Sequence, residues 1–242
     1  MKEYPICPKC GQNKCRIIKG VCQFCYINEY TKLHRKRKYP SSDKIIITDL
    51  QKEFISGCLL GDGCISNIKY GRKSPSFGID RMFSDIEYAR WQYSFIQNLC
   101  SRDLSIRDRY NKTTQKTHKC CTIQTRYIPQ LLEIRNLWYL NEIKIIPTNL
   151  KLTKLIMQIW YCDDGSLEKF NSGSFRIKFS THGFSIEENM FLIDLLNEKY
   201  NIKSSLHKDK DKFKICINSN YAPIVFDDLK KDFPNGMQRK LL

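Results

Sequence analysis

Two stretches decide the fold of this chain: Phe54-Ile-Ser-Gly-Cys-Leu-Leu-Gly-Asp-Gly63 and Leu155-Ile-Met-Gln-Ile-Trp-Tyr-Cys-Asp-Asp-Gly165. Each is an apolar run of helical length that ends in Asp-Gly. A carboxylate at the end of an apolar helix is costly to place unless something positive meets it. Because it occurs twice, at Asp62 and Asp164, in a chain of net charge +16, the sequence predicts paired metal-binding carboxylates that face a polyanion.

Composition limits the class of protein. The chain has 242 residues, with 41 Lys+Arg against 25 Asp+Glu. This length is enough for a well-buried core in one large domain or in two half-size lobes. The excess of positive charge favours nucleic acid as the partner, and a chain that is merely rich in lysine is the alternative.

Targeting and membrane signals are absent from the sequence. It has no run of about 18 apolar residues, so we expect no transmembrane helix and no membrane partner. The N-terminus, Met-Lys-Glu-Tyr-Pro, lacks the apolar core of a signal peptide. We therefore expect a protein that is not secreted, located in a bacterial or phage-host cytoplasm or in an organelle. In such a reducing compartment, 12 cysteines argue for metal binding and buried thiols rather than disulfides.

The first cysteines have the spacing of a metal site. Two C-x2-C pairs are separated by eleven residues: Cys7 and Cys10, then Cys22 and Cys25. Four thiolates at this spacing can close a tetrahedral zinc site, and they leave no open position for catalysis. The pattern predicts structural Zn²⁺ in a basic module of residues 1–40, in which Cys15 could replace one of the four ligands.

A basic run follows the cysteines. Its core is Arg35, Lys36, Arg37 and Lys38. We favour contact with phosphates that flank a DNA site, and a solvated basic linker is the alternative. The stretch Pro40-Ser-Ser-Asp43 predicts a hinge into the main domain.

From Thr48 onward the sequence reads twice through one order of elements: helix, two strands, helix, two strands, helix. We assign the first unit to residues 41–147 and the second to 148–242, so the predicted fold class is α+β. Ser185-Ile-Glu-Glu188 fits a capping box at the start of a helix. Strands are predicted at 64–70, 76–83, 104–110, 119–126, 174–180, 203–209 and 212–218.

Several strands alternate apolar and basic residues. Ile106 alternates with Arg107, and Ile177 alternates with Lys178, so helices would cover one sheet face and leave a basic face outward. We expect this face to contact DNA, and a solvated sheet face is the alternative. The residues assigned to DNA here are Arg107, Arg109, Arg126, Arg176, Lys178, Lys212 and Lys214.

Two glycines in the first motif helix would allow another helix to pack closely against it. Gly57 and Gly61 lie on one side of it and let a second helix approach. If the two motif helices pack side by side, Asp62 and Asp164 meet at their C-terminal ends and repel each other unless cations such as Mg²⁺ bind there. A single Asp-Gly is more often a helix C-cap and turn, but two copies in matching positions favour the metal site.

Each unit also offers one lysine. Lys144 lies 82 residues after Asp62 (144 − 62 = 82), and Lys240 lies 76 residues after Asp164 (240 − 164 = 76). Each unit could therefore bring a lysine to its own acid, where it stabilises developing charge or poises a water. Lysines are abundant in this chain, so a chance correspondence is the alternative.

These residues resemble the motifs of the LAGLIDADG homing endonucleases. Ile55-Ser-Gly-Cys-Leu-Leu-Gly-Asp-Gly63 is similar to the first motif and Met157-Gln-Ile-Trp-Tyr-Cys-Asp-Asp-Gly165 to the second, in the form of the single-chain, mitochondrial intron-encoded branch. The resemblance covers roughly residues 49–242. It implies a pseudo-twofold pair of αββαββα units, with the motif helices at their interface and the strands forming a DNA-binding saddle.

The resemblance also implies a chemistry. It implies Mg²⁺-dependent cleavage of both strands of a long double-stranded DNA target, with 3′ overhangs, and we expect a monomer. Lys144 and Lys240 would be catalytic residues near the cut phosphates. The metal positions that it implies are the catalytic Asp62 and Asp164, with Gly61 and Asp163 at the adjacent backbone positions.

The two motifs differ from each other where the helices should meet. The second has Ile159 and Asp163 where the first has Gly57 and Gly61, so we expect an asymmetric contact. The cysteine module lies outside the core family and resembles an appended DNA-binding extension.

Other functions remain open. The main alternative is a nucleic-acid-binding protein of the same fold without cleavage, either a maturase for its own intron RNA or a transcription regulator. The presence of both Asp62 and Asp164 argues against lost cleavage. An intein endonuclease is disfavoured, because the sequence has no room for a splicing domain.

Overall fold

The computed structural model describes residues 5–13, 16–34, 44–68 and 73–241. It divides the chain into two compact units, Met1–Pro40 and Ser41–Leu242. The basic run 35–38, the hinge 40–43 and Cys15 lie outside the described residues. Among the helices that are described, none is long and apolar enough to cross a membrane.

The N-terminal unit is a small hairpin followed by a helix. Strands β1 (Ile17–Ile18) and β2 (Val21–Cys22) pair antiparallel, and helix α1 (Gln23–His34) follows directly. Lys19 and Gly20 join the strands with φ values of 48° and 82°. Two consecutive positive φ values are the requirement of a two-residue type I′ turn, whose twist matches that of the strands.

The larger unit contains the predicted repeat. Its first half consists of α2 (Asp49–Leu60), β3 (Cys64–Ile65), β4 (Phe77–Met82), α3 (Ile86–Ile96), β5 (Ser105–Asn111), β6 (Lys116–Gln124) and α4 (Gln130–Trp138), with a short hairpin of β7 (Tyr139–Leu140) and β8 (Ile143–Lys144). Its second half consists of α5 (Lys154–Asp164), β9 (Gly165–Lys169), β10 (Phe175–Phe179), α6 (Ile186–Tyr200), β11 (Ser204–Asp209), β12 (Lys212–Ile217) and α7 (Ala222–Leu229). Short 3₁₀ helices cover Phe83–Asp85, Gln97–Leu99 and Gln238–Lys240.

The two halves have the same sheet topology. The strand order is β3-β4-β6-β5 in the first sheet and β9-β10-β12-β11 in the second, and every pair is antiparallel. The predicted α+β class, with two αββαββα units, is confirmed. The sequence boundary between the halves at 147/148 stays a prediction.

The strands differ from the prediction at the sheet edges. Strand β9 follows the second motif directly and was not predicted, because its sequence, Gly-Ser-Leu-Glu-Lys, does not alternate. Strand β6 starts at Lys116, before the predicted start at 119, because backbone pairing with Asn111 continues there whatever the side chains are. Ile106 on the edge strand β5 is 50% exposed, so no helix covers it as the alternation had suggested.

Side-chain caps fix where the helices begin. The predicted capping box at Ser185 is present: its Oγ accepts from the Glu188 N–H at 3.2 Å, and the Glu188 carboxylate accepts from the Ser185 N–H at 2.7 Å. The same carboxylate accepts from the Ile146 N–H at 2.8 Å. The cap of α6 therefore also anchors the segment that leads from the first half into the second.

Helices α2 and α5 pack against each other as the seam between the halves. Seven of the twelve residues of α2 and seven of the eleven of α5 are buried there. A Cβ at Gly57 would lie 3.1 Å from Ile159 Cδ1 and 3.2 Å from Ile156 Cα. Ile159 thus occupies the space that a side chain at position 57 would need, and the glycine spacing predicted this close contact.

This complementarity predicts how substitutions at positions 57 and 159 change the stability of the protein. Gly57→Val overpacks the seam and should lower the free energy of unfolding by about 1–3 kcal/mol. Ile159→Ala alone leaves a cavity and should cost about 2–5 kcal/mol. The combined variant should cost clearly less than the sum, because valine refills the space; urea unfolding of the three variants measures this.

Gly183→Val is the control, since a Cβ at position 183 would meet no atom within 4 Å. Strict additivity of the two seam substitutions would contradict direct contact between these positions.

Candidate functional site

The two Asp-Gly ends lie together at the seam. The Asp62 N–H donates to Asp163 Oδ2 at 3.1 Å, so the end of α2 touches the end of α5. A Cβ on Gly61 would overlap the Asp163 side chain and come within 2.6 Å of its Oδ2. Gly61 and Asp163 hold the same position in the two motifs. The glycine therefore makes the room that the aspartate fills.

Each of the two predicted lysines lies at the C-terminal end of the motif helix in its own half, with the same hydrogen-bonding pattern. Lys144 Nζ donates to the carbonyls of Gly61 and Gly63 at 3.0 and 2.9 Å, which flank Asp62. Lys240 Nζ donates to the carbonyls of Asp163 and Gly165 at 3.1 and 2.7 Å, which flank Asp164. A cation at a helix C-terminus is stabilised by the unpaired carbonyls there.

Burial of the two lysines shifts their pKa values. It lowers the pKa of both Lys144 and Lys240, although nearby Cys64 raises the first and Cys162 the second. Each ammonium is more ready to give up a proton than an exposed lysine would be. Such a group suits a site in which a proton must move.

Arg81 and Tyr88, which the sequence did not single out, complete the acid cluster. The Arg81 guanidinium bonds Asp62 Oδ2 at 2.5 Å and also Asp163 Oδ1, and the Tyr88 hydroxyl donates to Asp163 Oδ1 at 2.9 Å. The Asp163 side chain is fully buried. Its carboxylate is thus committed to these donors, and its backbone carbonyl is the part left at the site.

Burial also changes the acids. It is the largest of the causes that raise the pKa of Asp164 to about 7; the neighbouring Asp62 and Asp163 also raise this pKa, and Lys240 and Lys144 oppose the shift. It raises the pKa of Asp163 as well, against the lowering effect of Arg81. The Asp164 carboxylate makes no hydrogen bond or ion pair within the described part of the chain. The cluster therefore holds one carboxylate whose negative charge has no bonded partner.

The basic residues predicted on the sheets are held by acids that the sequence reasoning missed. Asp80 on β4 accepts from Arg107 at 3.1 Å and from Arg109 at 3.4 Å. Glu168 on β9 bonds Arg176 and accepts from Lys178 at 2.7 Å. Strand pairing places each acid beside its partners, an arrangement that alternation within a single strand cannot reveal.

The other predicted basic residues have different surroundings. Lys214 bonds Asp209 at 3.0 Å, and Lys212 is exposed near the turn that follows β11. Arg126 instead donates to the backbone carbonyls of Leu99 and Asn98 beyond α3. Arg126 thus has a structural role in satisfying a helix end. Arg35, Lys36, Arg37 and Lys38 lie outside the described residues.

The predicted cysteine ligands form one cluster. The sulfurs of Cys7, Cys10, Cys22 and Cys25 all lie within 4.8 Å of one another. Cys10 and Cys22 sulfurs are 3.7 Å apart. A tetrahedron with zinc–sulfur bonds of about 2.3 Å has edges of about 3.8 Å, so the spacing fits a four-thiolate zinc site.

The backbone favours the thiolate form of one member of this cluster, Cys7. The Cys22 N–H donates to Cys7 Sγ at 3.2 Å and lowers the pKa of Cys7 to about 6, while burial opposes the shift. Gly11, directly after Cys10, has φ of 70°, a left-handed conformation that glycine adopts readily. A thiol that ionises near neutral pH is a ready metal ligand.

A family and several relatives match this chain. The profile of the LAGLIDADG DNA endonuclease family matches residues 52–224. The cytochrome b mRNA maturase bI2 of Debaryomyces hansenii is 29% identical over 195 residues, which are 78% of this chain and 72% of that protein. The maturase bI2 of Saccharomyces cerevisiae is 29% identical over 234 residues, but this chain spans only 54% of its length.

A solved structure shares the fold. The homing endonuclease I-WcaI bound to its DNA recognition sequence superposes with a TM-score of 0.74 at 22% identity. The match covers 89% of this chain and 92% of that one.

Asp164 gives the stability a defined pH dependence in magnesium-free buffer. Because burial raises its pKa from 3.8 to about 7, its contribution to stability is present below pH 4 and is lost as the pH rises through 7. Asp164→Asn should match the wild type near pH 4 and exceed it by about 2–4 kcal/mol at pH 8. Urea unfolding at five pH values measures this.

Asp108→Asn, on the exposed face of β5, is the control and should follow the wild-type curve. Parallel curves for Asp164→Asn and the wild type would show that Asp164 is not shifted.

Proposed function

The chain belongs to the LAGLIDADG DNA endonuclease family, and we propose that it is a site-specific endonuclease. It would cut both strands of a long double-stranded DNA target in a metal-dependent reaction that leaves 3′ overhangs. One observation carries the proposal. Two acids, Asp62 and Asp164, stand at matching helix ends on one seam, and each has a lysine bonded to the carbonyls that flank it.

The donor set fits a hard divalent cation. Asp62 and Asp164 offer carboxylate oxygens, which Mg²⁺ prefers, and the Gly61 and Asp163 carbonyls lie beside them. When bound there, Mg²⁺ supplies Lewis-acid stabilisation of phosphate oxygens and lowers the pKa of a water. The Asp163 carboxylate is already bonded to Arg81 and Tyr88, so its carbonyl, which accepts from Lys240 and keeps a second lone pair, is the atom available for this role.

The chain's own residues then have distinct tasks. Lys144 and Lys240 are fixed by two carbonyls each, so their ammonium groups stay beside the acids without needing to be ordered when DNA binds. In this position each stabilises the charge that develops on a cut phosphate or hands a proton to the leaving oxygen. The duplicated arrangement supplies one such set for each DNA strand.

The two sheets provide the surface for the duplex. Arg107, Arg109, Arg176, Lys178 and Lys214 lie on strands of both sheets and are each bonded to an acid. Such a pair holds a long basic side chain in one conformation, and this lowers the entropy lost when it contacts a base or phosphate. The bonded acids also weaken purely electrostatic binding, which favours readout of sequence over non-specific affinity.

RNA splicing is the second candidate function. The two relatives described above are named as cytochrome b mRNA maturases, and this favours intron RNA as a further partner. The duplicated acids favour cleavage of DNA, and one chain can hold both activities on different surfaces. The monomeric state and the cellular location stay predictions.

The cysteine cluster is proposed to hold one structural Zn²⁺. Four sulfurs at tetrahedral spacing leave no open coordination position, so the ion would fold the N-terminal unit rather than catalyse a reaction. With Lys9, Arg16 and Lys19 nearby in the sequence, the folded unit would lengthen the DNA footprint.

Cleavage is tested with a library of DNA sites. With Mg²⁺ the wild type should give discrete double-strand breaks with 3′ overhangs, mapped by sequencing the cut ends. Asp62→Asn and Asp164→Asn should each lower double-strand cutting at least about 100-fold, because each removes the carboxylate charge that would hold the catalytic cation.

Asp108→Asn serves here too as a matched acid-to-amide control and should cut normally. Tight binding of DNA or intron RNA by the wild type, with no cutting in Mg²⁺ or Mn²⁺, would favour the maturase or regulator instead.

Zinc content is tested by metal analysis of the purified protein. We expect about one zinc per chain, lost in Cys7→Ser because three thiolates no longer close the tetrahedron. Cys64→Ser is the matched control, since Cys64 is an exposed cysteine outside the cluster. Zinc-free wild-type protein, or equal zinc in both variants, would remove the proposed site.

A further inference from the structure

Arg81 is fixed from every side at the seam. Its guanidinium bonds Asp62 and Asp163, its Nε donates to Gln92 Oε1 at 3.1 Å, and its guanidinium carbon lies 4.9 Å from the centre of the Tyr88 ring. Only 6% of the side chain is exposed. A buried cation held this way cannot swing away from Asp62 without leaving Asp163 buried and unpaired, which is strongly unfavourable.

The second half has no such cation at the matching position. Strand pairing aligns Cys64 with Gly78 in the first sheet and Ser166 with Lys178 in the second. Three residues further along β4 lies Arg81, and three residues beyond Lys178 lies Thr181.

Thr181 belongs to a different network. Its side chain is buried, is uncharged and hydrogen-bonds the Asn189 side chain. The pseudo-symmetry that relates the acids and the lysines therefore breaks at this position as well as at Gly61 and Asp163. An arginine stands on the Asp62 side, and a neutral hydroxyl stands on the Asp164 side.

The two acids consequently differ in what they offer a cation. One oxygen of Asp62 is bonded to the guanidinium, and a full positive charge lies 2.5 Å from it. Asp164 has no bonded partner within the described residues, so both of its oxygens are available. A divalent ion at Asp62 meets a partly neutralised carboxylate, whereas at Asp164 it meets one to which no cation is directly bonded within the described residues.

We propose that Arg81 is a positioning residue that makes the two metal sites unequal, so that the cation binds more tightly at Asp164 than at Asp62. This rests on the proposed function and deepens it. The strand whose scissile phosphate lies at Asp164 is then cut first, and a nicked duplex is the intermediate. The Asp163 carboxylate serves as the counter-charge that keeps Arg81 in place.

Mn²⁺ titration, followed by electron paramagnetic resonance of the free ion, tests the inequality without cleavage. Zinc-loaded protein without DNA at pH 8 should bind two ions with dissociation constants that differ about tenfold or more. Asp164→Asn should remove the tighter site, and Asp62→Asn should remove the weaker one. Two equal sites, or the reverse assignment, would overturn the proposal.

The role of Arg81 is tested with a charge-balanced pair of substitutions. Arg81→Met combined with Asp163→Asn removes one positive and one negative charge and leaves no buried charge without its partner. The weaker site should tighten until the two constants differ less than threefold. Lys154→Met with Asp232→Asn removes an exposed ion pair in the same way and should leave the ratio unchanged. A ratio unchanged in the Arg81 pair would overturn the role of Arg81.

Cutting of a supercoiled target plasmid gives a second readout. The wild type should accumulate nicked circles with the break in one strand, and the Arg81 pair should accumulate at least threefold less. Failure of this proposal differs from failure of the proposed function. Two equal Mn²⁺ sites at the acids overturn the inequality alone, while no Mn²⁺ at either acid overturns the metal-dependent nuclease as well.

Discussion

The close approach of α2 and α5 is the constraint on which the rest of this structure depends. At positions 57 and 61 the first helix has no side chain, and the second helix fills that space with Ile159 and Asp163. Both pairs are 102 residues apart in the sequence (159 − 57 = 163 − 61 = 102). Each position at the seam thus meets its own counterpart, which is the property of a twofold axis. The helix ends coincide only because this contact is so short.

Charge balance explains how the helix ends tolerate their acids. Two helix C-termini and three carboxylates converge there, all of them negative. Three cations balance this negative charge, and each is hydrogen-bonded to two or more acceptors. These are Arg81, Lys144 and Lys240. The result is a buried cluster close to neutrality, in which one acid remains without a bonded partner and carries the raised pKa.

Much of this arrangement could be predicted from the sequence. The motif helices, the capping box at Ser185, the glycine spacing and the lysine in each half follow from local patterns, and the structure places these residues where those patterns indicated. What the sequence did not reveal depends on strand pairing. Arg81 on β4 and Asp80 beside it look like ordinary strand residues until the register shows what they face. The short edge strand β9 was not predicted from the sequence for a similar reason. Its backbone pairs with a strand on one side only, so it needs no alternation of apolar residues.

The glycine–aspartate pair at the seam has a consequence for how the two halves can exist. Two copies of the second half, associating through the same helix face, would place one Asp163 against another with no room for either, since the position opposite must lack a side chain. Two copies of the first half would leave a gap, and each Arg81 would lack its Asp163 partner. Neither half can therefore form a stable homodimer in this geometry. Covalent linkage of two unlike halves is what permits the mismatch, and it frees each side to change independently of the other.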